Sequence, residues 1–415
     1  MKIAIVGSGI AGLTCAYLLN RQHDIQVFEA SDWIGGHTHT VDVQVDGRSY
    51  AIDTGFIVFN DWTYPNFIRL LEQIGVGFKP TEMSFSVSDP ATGVEYNGHD
   101  LNTLFAQRSN LLSPAFWGML RDILRFNRQS LDDLANSRIS ADTTLGQYLD
   151  SNGYGRRFIE HYIVPMGSAI WSMSLADMLG FPLQFFVRFC KNHGLLSVSD
   201  RPTWQVIEGG SRSYVAPLTA SFAERIRLNC PVSRVIRDQD GVTLHSAAGS
   251  ERFDKVIFAC HSDQALALLD QASEQERDIL GALPYANNDV VLHTDTRLLP
   301  KRKLAWASWN YRLGGPREQM AAVTYDMNIL QGIDSDTIFC VSLNQTAAID
   351  PSKILARFQY AHPQYSLAGT AAQARWEELL GAQHTYYCGA YWANGFHEDG
   401  VVSALRVARA FGETL

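Results

Sequence analysis

A chain of 415 residues, 46% hydrophobic and 19% charged, has the apolar material for a large core and exceeds what one core usually supports, so two lobes are expected. Its net charge of −9 provides no basic surface for nucleic acid. The six cysteines are dispersed without a CxxC pair, so neither a zinc ribbon nor a disulfide framework is expected, and no metal site is predicted.

Lys2-Ile3-Ala4-Ile5-Val6 has the continuous apolar character of a buried parallel strand and leads into Gly7-Ser8-Gly9-Ile10-Ala11-Gly12, after which Leu13 to Leu19 is helical in character. In this strand–turn–helix setting each glycine has its own duty. Gly7 permits the tight turn, Gly9 lets backbone approach a pyrophosphate, and Gly12 lets the helix pack closely on the strand. The helix N-terminus offers unpaired N–H groups to negative charge. A second strand, Ile25 to Phe28, ends at Glu29, seventeen residues after Gly12. A carboxylate there accepts both ribose hydroxyls of an adenosine and repels a 2′-phosphate, so the pattern predicts a dinucleotide site that disfavours NADP.

Residues 60–199 read as mostly helical, with segments Tyr64–Ile74, Pro114–Leu134, Leu145–Ser151, Arg156–Tyr162 and Leu175–Phe189 between Pro and Gly punctuation. The Pro114–Leu134 segment sets Phe116, Leu120, Ile123 and Leu124 on one side, with Arg121, Arg125 and Arg128 at spacings of four and three. That pattern reads first as an ordinary amphipathic helix capping the second lobe, with peripheral contact with anionic lipid at the inner face of a membrane as the alternative. Farther on, Asp289–Thr294 and Thr337–Leu343 alternate and predict antiparallel strands under a pocket. The segment Trp306-Ala307-Ser308-Trp309-Asn310-Tyr311 concentrates amphipathic rings beside them, which makes Trp309 a candidate pocket wall for a large hydrophobic molecule. No apolar run reaches membrane-spanning length, and a strand starting at Lys2 leaves no room for a signal peptide, so a cytoplasmic location is expected.

Glu29-Ala30-Ser31-Asp32-Trp33-Ile34-Gly35-Gly36-His37 combines an acid, a short spacer and a Gly-Gly pair. This block resembles the flavin amine oxidase superfamily, which includes protoporphyrinogen oxidases and phytoene-type desaturases. The resemblance continues in Ala51–Gly55, in Val206–Gly210 followed by Tyr214–Leu218, in Cys230–Val232 with Val235-Ile236, in Phe253–Cys260, and in Tyr386–Ala390 followed by Gly395–Ser403. It implies an α/β fold: a Rossmann-type, glutathione-reductase-like FAD-binding domain (1–59, 200–265 and 385–415) interleaved with an α+β substrate-binding domain (60–199 and 266–384).

By resemblance the cofactor is FAD, held by Gly7, Ser8, Gly9, Ile10, Ala11 and Gly12 at the first turn and by Glu29 and Ala30 at the adenosine end. Gly35, Gly36 and His37 would follow the pyrophosphate and ribityl, Thr54, Gly55 and Phe56 the flavin ring, Val232 the adenine, and Ala259 the returning strand. Gly389, Gly400 and Val401 would belong to the C-terminal helix, whose N-terminus points at the flavin pyrimidine and carries roughly half a positive charge. His397 is a candidate base or flavin donor beside that glycine-led start.

The chain also departs from the family pattern. Trp33 and His37 stand where arginines are usual, His261 where proline is common, and Ala390 where an acid is expected, with Glu398 and Asp399 as substitutes. Asn287–Thr294 contains no lysine, whereas amine oxidases usually hold one near flavin N5 on that strand. These departures weaken amine oxidation. The resulting expectation is an FAD-dependent dehydrogenase or desaturase that moves hydride from an acyl or isoprenoid substrate to N5, a reaction that asks little of side chains beyond position. An amine oxidase with an atypical site, a flavin-dependent isomerase and a non-catalytic FAD-binding protein remain alternatives. The electron acceptor stays open.

Overall fold

Five short strands drawn from distant parts of the chain pair into one parallel sheet, in the order Ile226–Arg227, Asp24–Phe28, Lys2–Val6, Lys255–Phe258, Thr385–Tyr387. The computed structural model describes residues 1–314 and 320–415. Strand periodicity divides the sheet's side chains between two cores. Ile3, Ile5, Ile25, Val27 and Ile257 turn toward the helices Ile10–Leu19 and His397–Ala410. Ala4, Val6, Phe28, Val256 and Phe258 turn toward the antiparallel meander Val232–Asp238, Gly241–Ser246 and Gly249–Phe253. Both faces are therefore dry, which is why the first strand is apolar without alternation.

The second sheet has seven strands, ordered Ile354–Pro363, Tyr285–His293, Cys340–Leu343, Val323–Asp326, Trp309–Arg312, Phe85–Asp89, Val94–Asn97. All neighbours are antiparallel except Trp309–Arg312 with Phe85–Asp89. The strand expected at Asp289–Thr294 is longer than its alternating part, and the one expected from Thr337 begins at Cys340. A small sheet of Val58–Asn60, Trp204–Ile207 and Phe78–Pro80 crosses the expected boundary between the lobes.

The helical region follows the sequence reading with two corrections. Arg156–Tyr162 is only the start of a longer run that widens into a π turn at Ile159–Ile163 and continues as Val164–Trp171. Pro165 has no N–H to give the carbonyl four residues back, and the Tyr96 hydroxyl donates to that His161 carbonyl at 2.6 Å instead. Leu175–Phe189 is two helices, Leu175–Leu179 and Leu183–Asn192, because Pro182 sets an extended backbone between them.

Pro114–Ala135 is one helix, started by Ser113, whose hydroxyl accepts from the Phe116 N–H. Its expected apolar side is divided. Phe116, Met119 and Phe126 enter the core, Leu120 and Ile123 pack against it, and Leu124 faces out. Arg125 leaves the expected cationic row, lying over the Tyr154 ring at 3.9 Å and donating to the Asn152 carbonyl at 3.0 Å. Among the described residues no helix is long and apolar enough to cross a membrane.

Candidate active site

A cavity of about 810 Å³ runs between the two large sheets, within the usual range for ligand sites. Its polar end is built from the first turn. Gly7, Ser8, Gly9, Ile10 and Ala11 line it, and a β-bridge from Gly9 to Gly35 sets Gly35, Gly36 and His37 alongside. The glycines differ in a telling way. A Cβ on Gly12 would sit 2.1 Å from the Gly7 carbonyl oxygen, so Gly12 stands behind the wall and lets the helix close on the strand. A Cβ on Gly9 would meet nothing within 4 Å. Gly9 keeps its surface for a ligand, next to first-turn N–H groups that have no side-chain cap. That open backbone cradle fits a pyrophosphate.

Glu29 ties this end together. Its carboxylate accepts from the Ser8 N–H at 2.9 Å, the Ser8 hydroxyl at 2.6 Å and the Ser31 N–H at 2.8 Å, and the Ser8 hydroxyl in turn accepts from the Gly35 N–H at 3.3 Å. Ala30, Val232 and Ala259 line the same end.

Thr54, Gly55 and Phe56 line the middle, held by a buried knot just behind them. Asp53 accepts from the Thr40 hydroxyl at 2.6 Å, the Ser211 N–H at 2.9 Å and the Gln331 amide at 3.0 Å, and burial pushes its carboxyl up to about 6. Gly210 lies over this knot at φ +93°. The Ala51–Gly55 and Val206–Gly210 blocks are therefore one device in space.

His37 lines the cavity with its Nε2 3.0 Å from Nε2 of His362. Burial, and secondarily His362, holds His37 well below the usual imidazole range, and burial lowers His362 to about 4. A neutral pair thus occupies the place of the family's arginine. Tyr360 donates to or accepts from His39 at 2.7 Å and Thr54 at 2.9 Å on the same side. Sequence reasoning passed over Tyr360 and His362, although the alternation Phe358, Tyr360, His362 marks one face of a strand.

The terminal helix begins at His397, one turn before Gly400. Gly389, Phe396 and His397 line the cavity, whereas Gly400 packs on Ile10 and Val401 lies in the core behind it. His397 stacks on Phe56 with centroids 3.5 Å apart, and its Nε2 lies 3.0 Å from the Thr38 hydroxyl and 3.2 Å from that of Tyr214. Burial lowers His397 to about 3, so it is neutral and engaged. Asp399 and Glu398 do not replace the missing family acid. Asp399 accepts from the Asn394 and Phe396 N–H groups, Glu398 from Asn66 and Phe67, and both face a separate recess of about 370 Å³.

The far end of the cavity is apolar: Ile170, Trp171, Val290, Trp309, Tyr325, Leu330 and Leu343. Val290 comes from the lysine-free strand. Among the described lining residues there is no lysine or arginine, and the sole carboxylate is Glu29. Trp309 crosses Tyr325 edge-on at 5.0 Å, and its Nε1–H is buried without a hydrogen-bond partner.

Residues 10–326 match the family model described as flavin-containing amine oxidoreductase, more than half of the chain. The chain belongs to that family. FAD is the cofactor of this flavin-containing amine oxidoreductase. Zeta-carotene desaturase of Solanum lycopersicum is 37% identical over 76 residues, which is 18% of this chain and 12% of that protein, so the chain spans only a small part of that relative. A putative flavin-containing monoamine oxidase of Mycobacterium tuberculosis is 24% identical over 62% of this chain and 56% of its own. Among solved structures, a fatty acid isomerase from P. acnes superposes with a TM-score of 0.70 at 16% identity, covering 99% of this chain and 98% of that one, a likeness of fold.

Proposed function

We propose that the protein is an FAD-dependent dehydrogenase or desaturase of a lipid-like acyl or isoprenoid substrate. The carrying observation is the far end of the cavity, walled by apolar rings and aliphatic chains; among the described lining residues there is no lysine or arginine, and the one carboxylate, Glu29, belongs to the opposite end. FAD, when bound, supplies the hydride acceptor at N5. Gly9, Ile10 and Ala11 hold the pyrophosphate through backbone N–H groups, Glu29 receives the ribose hydroxyls, and Gly35, Gly36 and His37 follow the chain of the cofactor. Thr54, Gly55 and Phe56 flank the ring, Val232 and Ala259 the adenosine side, and the first turn of the terminal helix favours negative charge nearby. Trp171, Trp309, Tyr325 and Leu343 hold the substrate and exclude water; His397, neutral and engaged by two hydroxyls, positions the helix start. Residues 1–59, 200–265 and 385–415 form the FAD domain in this reading, and 60–199 with 266–384 the substrate domain.

Solvent extraction of the purified holoenzyme followed by mass spectrometry, and anaerobic mixing with the recovered lipid, test this. Bleaching of the flavin by an acyl or isoprenoid lipid is expected; bleaching by a hydrophilic amine alone would overturn it. Amine oxidation is the second reading, supported by the family match, and it predicts peroxide release. An isomerase would turn over only after prior reduction of the flavin. Such a substrate resides in a bilayer, so peripheral contact with the inner face of a membrane belongs to the same proposal.

A further inference from the structure

Of the apolar side that sequence patterning singled out on the long helix, Phe116, Leu120 and Ile123 enter or pack on the core while Leu124 faces out, and the face opposite the core is left exposed. Along Pro114–Ala135, Trp117, Arg121, Leu124 and Arg128 recur at spacings of four, three and four, which puts them on one stripe. Trp117 is 50% and Leu124 58% exposed, and Arg121 and Arg128 are exposed beside them. The stripe continues past the helix start. Leu112 is 88% and Leu101 76% exposed. The Trp117 indole donates to the Leu111 carbonyl at 2.9 Å and its ring lies 5.5 Å from Phe105, which joins the short turns Leu101–Leu104 and Arg108–Leu112 to the helix. The Lys303–Ala305 turn packs against Leu101–Leu104 and adds exposed Leu304 with Lys301 and Lys303.

The charge of this surface opposes that of the molecule. Residues 101–128 and 301–304 carry seven cations and one acid in a chain of net charge −9. That acid, Asp122, is buried and accepts from the Gly155 N–H at 2.9 Å. Five of the cations have local partners: Arg121 on Asp122 at 3.9 Å, Arg125 on Tyr154, Lys303 over the Trp306 ring at 5.6 Å, Arg302 on Glu95 at 2.8 Å, and Arg108 on the Phe105 carbonyl at 3.0 Å; Arg121 and Lys303 stay exposed nonetheless. Asp100, capping the first turn, borders the surface with an exposed carboxylate. Scattered surface leucines need no explanation, but a continuous array of them is uncommon. Cations interleaved with leucine and tryptophan at one level also differ from a protein–protein contact, whose centre is depleted of charge. A bilayer boundary has both layers at that depth: acyl chains for the rings and leucines, anionic headgroups for the cations.

We propose that the face formed by Leu101, Leu111, Leu112, Trp117, Leu124 and Leu304, with Arg121, Arg128, Lys301 and Lys303 among them, docks the protein on an anionic lipid surface. It is argued from exposure and charge, and it rests on the proposed function only for why a bilayer would be visited. The test is flotation of the holoenzyme with vesicles of phosphatidylcholine, with and without phosphatidylglycerol, at low and high salt. Binding is expected with phosphatidylglycerol and should weaken as salt is raised. Arg121→Glu with Arg128→Glu should lower vesicle affinity at least about tenfold, from about 1 kcal/mol per cation near such a surface. Leu112→Ser with Leu124→Ser should lower it comparably, and in both variants flavin absorbance and the melting temperature should match wild type. The proposal is overturned if the wild type does not float, if it floats equally on neutral vesicles in high salt, or if Leu112→Ser with Leu124→Ser dissolves a dimer while leaving flotation intact. Flotation without oxidation of any lipid would leave this surface standing and remove the substrate reading; oxidation of detergent-dispersed lipid without flotation would do the reverse.

Discussion

The two ends of the cavity are built on opposite principles. At the polar end, backbone does the work: Gly9 leaves an open surface, Gly12 and Gly35 are packed to contact, and Glu29 crosslinks two loops through three hydrogen bonds. At the apolar end, Trp171, Val290, Trp309, Tyr325 and Leu343 come from five separated segments and meet through packing. Little of it is tied by side-chain hydrogen bonds, and the Trp309 N–H has no partner at all. The contrast teaches that a polar, backbone-built site needs particular atoms, whereas an apolar wall needs volume and shape, which many side-chain sets supply.

The sharpest way to break this comparison is at the paired glycines. Gly12→Ala forces a Cβ onto the Gly7 carbonyl and should destabilise the protein by about 3 kcal/mol or more, yielding apoprotein in thermal melts and a loss of flavin colour. Gly9→Ala meets open space, so its apoprotein should melt as wild type does while binding FAD at least about tenfold more weakly, the cost of about 1.4 kcal/mol at a close backbone approach. Equal effects of the two substitutions would remove the distinction between wall and scaffold.

Glu29→Gln should weaken FAD binding by about 1.5–3 kcal/mol, the range for hydrogen bonds to a charged group, as read by titration of apoprotein. Behind Thr54, Gly55 and Phe56, Asp53 provides a pH test. Its folded pKa is raised to about 6 by burial, so its contribution is fully present below about 3.8 and is lost as pH rises through about 6. Wild-type apoprotein should therefore lose stability relative to Asp53→Asn over that window, by an amount on the order of 1–3 kcal/mol at 1.36 kcal/mol per unit. Parallel melting curves at pH 4 and pH 7 would contradict it. The smallest effect is expected at the apolar end: Trp309→Phe removes the unpartnered N–H, leaving FAD content unchanged and stability within about 1 kcal/mol of wild type, while altering the retention of apolar ligands.

Legibility in the sequence followed the same division. The first strand, the glycine turn, Glu29 and the Gly-Gly pair were readable because each is local: a turn with φ near +107° at Gly7 or a helix packed against a carbonyl tolerates few residue types. Pro182 was read through as part of one helix, and the effect of Pro165 depended on a distant neighbour, for Tyr96 lies far away in sequence from the carbonyl it satisfies. The terminal helix was placed one turn late because Gly400 looks like a start and is in fact a contact with Ile10. His362 was missed since nothing in Gln359 to Pro363 announces that it meets His37 across 325 residues.

The long helix shows most plainly where the limit lies. Its existence, its span and its cap at Ser113 follow from local spacing and hydrogen bonding, which the sequence carries by itself. Which of its faces meets the core followed in part: Phe116, Leu120 and Ile123 do as expected, whereas Leu124 faces out and Met119 and Phe126 take up the rest of the core face. Only the tertiary structure decided the rest, by offering Tyr96 and Phe158 as partners to one face while Trp117 on the other meets Phe105 and the Leu111 carbonyl and stays half exposed. Local chemistry determined the glycine turn, Glu29 and the Gly-Gly pair at the polar end; the apolar wall and the outward stripe depend on long-range packing, whose energy is spread over many interchangeable contacts.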